Sequence, residues 1–202
     1  GVEFRCGVEV GKDITIAQLR EEGYKGFYVA VGLQHGGALA VPGGDVENVI
    51  SGIDFIRGVH LRDEKTLKGR VVVIGGGNVA IDVARSAVRL GAKHVTVVYR
   101  RTEAEMPADA EEVAEARAEG VKFKFLAAPV QIEGKDGRAD ALKLQVMQLG
   151  EPDASGRRKP VPVEGEFETL KAETVISAIG QSVEWGGLLE GSKVETGRGG
   201  VG

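Results

Sequence analysis

One stretch near the middle of the chain limits the possible folds more than any other. Residues 70–101 have the pattern of a strand, a glycine turn, a helix and a second strand. Residues 71–74 are a short apolar run rich in β-branched side chains, which is typical of a parallel strand buried on both faces. Residues 79–88 repeat apolar side chains at helical spacing, and Gly91 is a typical helix stop. The pattern therefore predicts a strand–helix–strand unit of a parallel α/β sheet.

The turn inside this unit has the residues of a dinucleotide-binding fingerprint. Gly75, Gly77 and Ala80 fit the pattern Gly-x-Gly-x-x-Gly/Ala. Gly75 allows the strand to reverse into the helix, Gly77 allows a pyrophosphate to approach the backbone, and Ala80 allows close packing of helix on strand. The free amides and the positive end of the helix dipole would then face the pyrophosphate. The alternative is a tight strand-to-helix turn that binds nothing.

The end of the second strand indicates which dinucleotide would bind. An NAD site usually has a carboxylate here, which accepts hydrogen bonds from the ribose 2′-hydroxyl. This chain has Tyr99, Arg100 and Arg101 instead, and no carboxylate before Glu103. Guanidinium groups suit a 2′-phosphate, and one or two charge-assisted hydrogen bonds could favour NADPH by roughly ten- to a few-hundredfold. A solvated basic strand end is the alternative interpretation.

Composition excludes several other classes of protein. The 202 residues have a net charge of −4 and 5% aromatic side chains, which argues against a nucleic-acid-binding surface. No apolar run reaches membrane-spanning length. Cys6 is the single cysteine, which excludes an internal disulfide or a thiolate-held iron–sulfur cluster and fits a cytoplasmic location. The three histidines lack metal-ligand spacing, so no metal site is predicted.

The remaining elements predict a Rossmann-like three-layer α/β domain with an antiparallel β-meander, as in flavoproteins that have two dinucleotide-binding domains. A quasi-repeat between residues 29–34 and 177–181 suggests two related nucleotide domains, one inserted into the other, although a chance match of short apolar strands is the alternative. Outside residues 70–101, strands are predicted at 2–10, 27–32, 121–126, 130–133, 141–149, 166–172 and 174–179. Helices are predicted at 13–22, 48–59 and 107–119. The predicted connections are a surface segment at 62–68, a hairpin turn at 134–137 and an exposed loop at 151–162.

Several stretches in family order resemble the NADPH-binding region of the glutamate synthase small-subunit family, which includes related flavin-dependent ferredoxin–NADP oxidoreductases. They are residues 1–5, 10–15, 71–82, 99–101, 105–108, 150–153 and 178–181. In such families NADPH gives a hydride to FAD, and electrons continue through iron–sulfur centres to a partner subunit. Because cofactors carry that chemistry, the absence of an acid–base or nucleophilic constellation agrees with it, and no catalytic residue is predicted.

The resemblance also implies a site and a domain division. Residues 1–35 would be a remnant of a flavin-binding domain, 36–180 the NADPH-binding domain and 181–202 a return segment towards the flavin domain. Both ends look cut, and the FAD site and the iron–sulfur region would lie largely outside this chain, so the fragment would bind nucleotide without turning over. Asp109 stands where the family often has a basic residue, which puts a third phosphate contact in doubt. The residues expected to bind cofactor are Gly75, Gly76, Gly77, Asn78, Val79, Ala80, Tyr99, Arg100, Arg101, Ala178, Ile179, Gly180 and Gln181.

Two other functions compete with this interpretation. A self-sufficient short-chain dehydrogenase usually needs a Tyr-x-x-x-Lys pair, and none of Tyr24, Tyr28 and Tyr99 has a lysine four residues later. A non-catalytic NADP(H) sensor on the same fold would lack the flavin segments in its full-length chain. The leading prediction is therefore the NADPH-binding module of a flavin-dependent oxidoreductase.

Overall fold

A computed structural model describes residues 1–61, 66–154, 156–192, 194–197 and 200–201. Most of the predicted surface connection at 62–68 lies outside the described residues. The chain divides into two compact units, Gly1–His35 with Gln181–Gly202 and Gly36–Gly180. The helices are α1 (Ile16–Glu21), α2 (Gly52–Leu61), α3 (Asn78–Arg89) and α4 (Ala110–Ala118). The strands are β1 (His35–Gly36), β2 (Val49–Ser51), β3 (Arg70–Ile74), β4 (His94–Val98), β5 (Lys122–Lys124), β6 (Ala127–Lys135), β7 (Arg138–Pro152), β8 (Arg158–Lys171), β9 (Thr174–Ser177), β10 (Gln181–Ser182), β11 (Thr196–Gly197) and β12 (Gly200–Val201).

The larger unit contains a parallel five-stranded sheet in the order β2-β9-β3-β4-β5. The two strands predicted within residues 70–101 lie in it as β3 and β4, and those predicted at 121–126 and 174–179 lie in it as β5 and β9. β3 is central, and its four apolar residues are all buried, as a strand covered on both faces requires. Because the pairing is in register, Ile74 lies between Ser177 of β9 and Val98 of β4. The carboxyl ends of these three strands therefore lie side by side.

The two faces of this sheet are covered by different layers. Val71 and Val73 of β3 face a core formed with α2, α3 and α4, to which Phe55, Ile81 and Val113 contribute. The alternate residues of β3 face a second core, whose other members include Leu142 and Leu144 of β7. This alternation follows from the period of two in a β-strand. Helices on one face and an antiparallel meander on the other confirm the predicted three-layer α/β fold.

The meander consists of β6, β7 and β8. Its first turn lies at the predicted hairpin, where Asp136 and Gly137 both have positive φ, at 53° and 77°. The predicted exposed loop at 151–162 was wrong at both of its ends, because β7 runs to Pro152 and β8 already begins at Arg158. β8 is an edge strand, and such a strand tolerates the prolines at 160 and 162 that made this stretch look like a loop.

The prediction of one helix over 48–59 was wrong at its beginning. Residues 49–51 form β2, which pairs with β9, and α2 begins only at Gly52. The Asn48 side chain explains the difference, because it donates to the carbonyls of Ala139 (3.1 Å) and Glu173 (2.6 Å) and accepts from the Ala139 amide (2.6 Å). These bonds hold the chain in the sheet before the helix can start.

The predicted helix beginning at Pro107 was also displaced. α4 begins at Ala110, and the Asp109 carboxylate caps it by accepting from the Glu111 amide at 2.9 Å. A short 3₁₀ turn, Glu103–Glu105, precedes it. Asp109 is therefore a helix cap, which agrees with the doubt about a third phosphate contact there.

The smaller unit contains α1, which begins after the N-cap Thr15, inside the helix predicted at 13–22, and little other regular structure. The predicted strands at 2–10 and 27–32 were wrong: apart from one bridge at Val10, the structure describes both segments without strand pairing. Phe4 is 84% exposed and Tyr28 is 95% exposed. A strand is stable only when its backbone groups pair with a neighbour, and these segments have none among the described residues. None of the described helices is long and apolar enough to cross a membrane.

An ionic link between α3 and α4 should make the stability of the larger unit depend on pH. Glu119 binds Arg89 (2.6 Å) and Arg85 (2.8 Å), and these hydrogen bonds, with that of Arg89 the stronger, lower the pKa of Glu119. A carboxylate with a lowered folded-state pKa stabilises the fold above its ordinary value of 4.5, and this contribution is lost as the pH falls through the folded-state pKa. We expect urea unfolding to show this loss in the wild type. In the Glu119→Gln variant that part of the acid sensitivity should be absent, and an identical pH profile would contradict the assignment.

Candidate dinucleotide-binding site

The glycine turn between β3 and α3 assigns a different task to each of its three glycines. Gly75 has φ of +149°, and a Cβ atom there would lie 2.5 Å from the Ala178 carbonyl oxygen. A Cβ on Gly76 would lie 2.5 Å from ring atoms of Tyr99. A Cβ on Gly77 would meet nothing closer than Pro107 Cγ, at 3.9 Å. The fold itself therefore needs the first two glycines, whereas the third leaves open space above the backbone.

The amino end of α3 offers free donors beside that space. Gly77 is the N-cap and has no side chain to bond the helix amides. Among the described residues, no group accepts a hydrogen bond from the amides of Asn78 or Val79. Ala80 is fully buried, so the helix packs closely on the sheet, while Val79 is half-buried. Free amides at the positive end of a helix dipole form an anion-binding position.

The Asn78 side chain connects this turn to the next helix. Its Oδ1 accepts from the Asp109 amide at 2.9 Å, immediately before α4. The side chain of Asn78, a predicted site residue, is therefore already bonded within the protein. The same bond places the start of α4 beside the glycine turn, which the sequence pattern did not predict.

Tyr99, at the end of β4, is a packing residue. It is 8% exposed, its ring lies against Gly76, and its hydroxyl donates to the Glu105 carbonyl at 2.9 Å. The hydroxyl thereby holds the 3₁₀ turn close to the strand end. Tyr99 supports the shape of the site without offering an unbonded polar group to it.

The structure separates the two predicted phosphate-binding arginines. Arg100 is exposed. Arg101 is 5% exposed; its Nη2 donates to Asp153 Oδ2 and its Nε to the Arg158 carbonyl, both at 2.7 Å. Arg101 thus ties the end of β4 to the turn between β7 and β8, while Arg100 projects into solvent. Basic strand-end residues look alike in the sequence, and only the tertiary partner distinguishes them.

A carboxylate lies near this strand end and is held in its charged form. Glu105 accepts from the Thr102 hydroxyl (2.5 Å) and amide (3.1 Å). The hydroxyl bond is the main cause that lowers the pKa of Glu105, and the Thr102 amide and the charge of Arg158 act in the same direction. Met106, which follows, packs on the helix-side core. The loop is therefore rigidly built and carries a negative charge.

The segment after β9 comes next to the glycine turn. The Ala178 amide donates to the Ile74 carbonyl at 2.8 Å, whereas Ile179 and Gly180 are exposed. Gln181 is exposed and belongs to the smaller unit. The predicted residues of the larger unit therefore come together at the carboxyl edges of β3, β4 and β9.

Sequence reasoning missed one part of this edge, the segment at Gly37. Its amide donates to the Gly180 carbonyl (3.1 Å), and its carbonyl accepts from the Ser177 hydroxyl (2.9 Å). A Cβ on Gly37 would lie only 2.1 Å from the Ile179 carbonyl oxygen. The Gly36–Gly37 pair was the available signal for such a close approach.

The described residues contain no group of three or more histidine, cysteine, aspartate or glutamate side chains placed to hold a metal ion. A cleft lined by Lys68, Glu173 and Thr174 lies at the amino ends of β3 and β9, away from the glycine turn. Ligands of parallel α/β sheets bind at the carboxyl ends of the strands. The carboxyl edge is thus the candidate site.

The parallel sheet, the glycine turn and the open helix amides define a dinucleotide-binding domain of the Rossmann type. The chain belongs to the pyridine nucleotide-disulphide oxidoreductase family, whose model matches residues 4–202. The resemblance expected from the sequence is confirmed, because relatives about 40% identical include glutamate synthase small chains.

Two similar proteins show the range of this group. The β subunit of NADP(+)-dependent formate dehydrogenase from Moorella thermoacetica is 42% identical over 204 residues, which cover all of this chain and 28% of that protein. The glutamate synthase [NADPH] small chain of Halomonas elongata is 40% identical over 89% of this chain and 40% of its own length. The chain therefore spans less than half the length of these curated relatives.

Solved structures agree with the fold. FprA from Mycobacterium tuberculosis in complex with NADPH has a TM-score of 0.71 and 25% identity, over 86% of this chain and 54% of that chain. Thioredoxin reductase from Streptococcus pyogenes has a TM-score of 0.59 over 83% of this chain and 47% of that chain, at 20% identity, and supports the fold alone.

Proposed function

We propose that this chain is the NADPH-binding module of a flavin-dependent oxidoreductase of the glutamate synthase small-chain type. The observation that carries the proposal is the open space over Gly77, with the unbonded amides of Asn78 and Val79 beside it. A pyrophosphate fits this position, because it needs close approach to the backbone and donors without partners. The similarity to FprA, whose structure contains NADPH, supports the same ligand.

The order of the strands along the carboxyl edge of the sheet indicates where the two halves of the coenzyme would lie. Arg100 lies at the end of β4, where the ribose of a dinucleotide is held in this fold, and we assign the 2′-phosphate to it. The Arg101 guanidinium is already bonded to Asp153 and to the Arg158 carbonyl. Ala178, Ile179 and Gly180 lie at the end of β9, on the other side of β3, and are assigned to the nicotinamide half; Gln181, next in the chain, is proposed there too.

The described residues of the smaller unit fit FAD less well than those of the larger unit fit NADPH. Within 1–35, 181–192, 194–197 and 200–201, the structure has no strand, glycine turn and helix arranged as at 70–89. These residues alone do not fit FAD, and their assignment to a flavin-binding domain rests on the resemblance. FAD would supply the hydride acceptor. The relatives are named as β subunits or small chains, which supports a partner subunit, and the single cysteine supports a cytoplasmic location.

Coenzyme titration tests the proposal. We expect the 202-residue chain to bind NADPH more tightly than NADH, by about tenfold or more, because one charge-assisted hydrogen bond has that effect. In the Arg100→Ala variant the affinity for NADPH should fall towards that for NADH. Isothermal titration of both coenzymes measures both quantities.

The matched control is Arg70→Ala. Arg70 is an exposed arginine at the opposite end of the neighbouring strand β3, so its removal changes the net charge by the same amount. The control should retain the preference for NADPH. Equal affinity of the wild type for both coenzymes would defeat the proposal.

A further inference from the structure

Arg101 has the environment of an anchored side chain. It is 5% exposed, and its two bonds at 2.7 Å both go to the turn between β7 and β8. Asp153, its ionic partner, is half-buried; its amide donates to the Arg157 carbonyl at 2.7 Å and its carbonyl accepts from the Gly156 amide at 2.8 Å, both in the same turn. The Arg101 side chain is only 6% exposed, so it would have to move outward to reach a phosphate, and this movement would strain or break its bond to the Asp153 carboxylate. Such a rearrangement opposes binding.

The anchor also determines where Arg100 can be. The two residues are adjacent, and the Tyr99 amide and carbonyl are bonded to Lys124 (3.0 Å) and Ala127 (3.2 Å). The backbone of Arg100 is therefore fixed on both sides, by Tyr99 and by the Arg101 carbonyl, which accepts from the Leu126 amide at 3.1 Å. The side chain of Arg101 adds a further tie to the turn between β7 and β8. A preorganised cation loses less freedom when it binds a phosphate.

We propose that Arg101 is a positioning residue: its ion pair with Asp153 holds Arg100 in place for the 2′-phosphate, and Arg101 does not contact the phosphate itself. The inference rests on the proposed NADPH function and extends it to Asp153, which lies in a stretch that carries the family resemblance but was not among the residues expected to bind the cofactor. The charged residues that contact the pair are Arg157, whose amide donates to Asp153 Oδ1 at 3.3 Å, and Arg158, whose side chain donates to the carbonyls of Leu149 and Gly150. Their arrangement leaves Asp153 as the carboxylate bonded to the Arg101 guanidinium.

The Asp153→Asn variant separates positioning from direct contact, because the two roles predict opposite results. If Arg101 positions Arg100, loss of the ion pair loosens the strand end, and affinity for NADPH should fall about tenfold, the size of one charge-assisted bond. If Arg101 contacts the phosphate directly, the variant frees it and removes a nearby negative charge, so affinity for NADPH should stay the same or rise. Affinity for NADH should not change, since NADH has no 2′-phosphate.

The same titration in the Arg100→Ala background completes the test. The positioning role predicts that Asp153→Asn then has no further effect on NADPH, because it acts through Arg100. Asp140→Asn is the matched control, since it removes the same charge from an exposed pair with Lys171 (2.6 Å) elsewhere in the meander. Thermal unfolding checks that each variant is folded.

The outcomes distinguish the two levels of the proposal. A wild type without preference for NADPH would show that the proposed function is wrong, and the inference would fail with it. A wild type that prefers NADPH, together with an Asp153→Asn variant of unchanged or higher affinity, would overturn the positioning role alone. An equal fall in both Arg100 backgrounds would also overturn it.

Discussion

The Gly75→Ala variant is expected to lower the free energy of unfolding of the larger unit by about 3 kcal/mol. Two costs add at this position. A φ of +149° is a conformation that side-chain-bearing residues rarely adopt, with a cost of roughly 1–3 kcal/mol. The new Cβ would also lie 2.5 Å from the Ala178 carbonyl oxygen, and overpacking of this kind costs about 1–3 kcal/mol.

Urea unfolding at neutral pH measures this effect, and Gly120→Ala is its control. Gly120 also has positive φ, at +96°, but a Cβ there would meet no atom within 4 Å. Its substitution therefore carries the backbone strain without the overlap, and should destabilise less. Equal effects of the two substitutions would show that the contact with Ala178 does not limit position 75.

The buried strands of the sheet were predictable because both of their faces are covered. Residues 71–74 of β3, and Val175 and Ile176 of β9, are apolar on both faces of the sheet, so these strands are visible without knowledge of the partners. The glycine turn was predictable for a similar local reason, since its fingerprint depends on backbone geometry. The local sequence alone is therefore enough to predict these elements.

The errors fall where a distant partner decides the structure. Residues 49–51 form a strand because β9 and the Asn48 side chain hold them, and neither contact shows in local spacing. Segments 2–10 and 27–32 alternate as strands do, yet no neighbouring strand pairs with them in the described chain. Pattern alone measures propensity, whereas strands require pairing.

The same limit applies to the site. The turn at Gly75, the open backbone at Gly77 and the close packing at Ala80 agree with the local geometry that side-chain size predicts, while their role in binding a coenzyme stays a prediction. Arg101 differs from Arg100 through its bonds to Asp153 and to the Arg158 carbonyl, both more than fifty residues away in the sequence. Charge at a strand end therefore predicted a basic site, and the structure was needed to show which cation is exposed.

The Gly77→Ala variant is expected to separate binding from folding. A Cβ at this position meets nothing closer than 3.9 Å, and φ of −96° suits alanine, so the free energy of unfolding should change by less than about 1 kcal/mol, the cost of a poorer N-cap. The same methyl group would occupy the space through which a pyrophosphate reaches the amides of Asn78 and Val79. Affinity for NADPH and for NADH should therefore both fall, by about tenfold or more, since both coenzymes share the pyrophosphate.

This pattern differs from that of Arg100→Ala, which should weaken NADPH alone, and from that of Gly75→Ala, which should impair folding first. Titration of both coenzymes, together with urea unfolding of the same preparation, distinguishes the three. Unchanged affinity of a folded Gly77→Ala variant for both coenzymes would mean that the pyrophosphate does not rest on the amino end of α3. The carboxyl edge of the sheet would then need a different ligand, because the amides of α3 are the donors on which the assignment of this site depends.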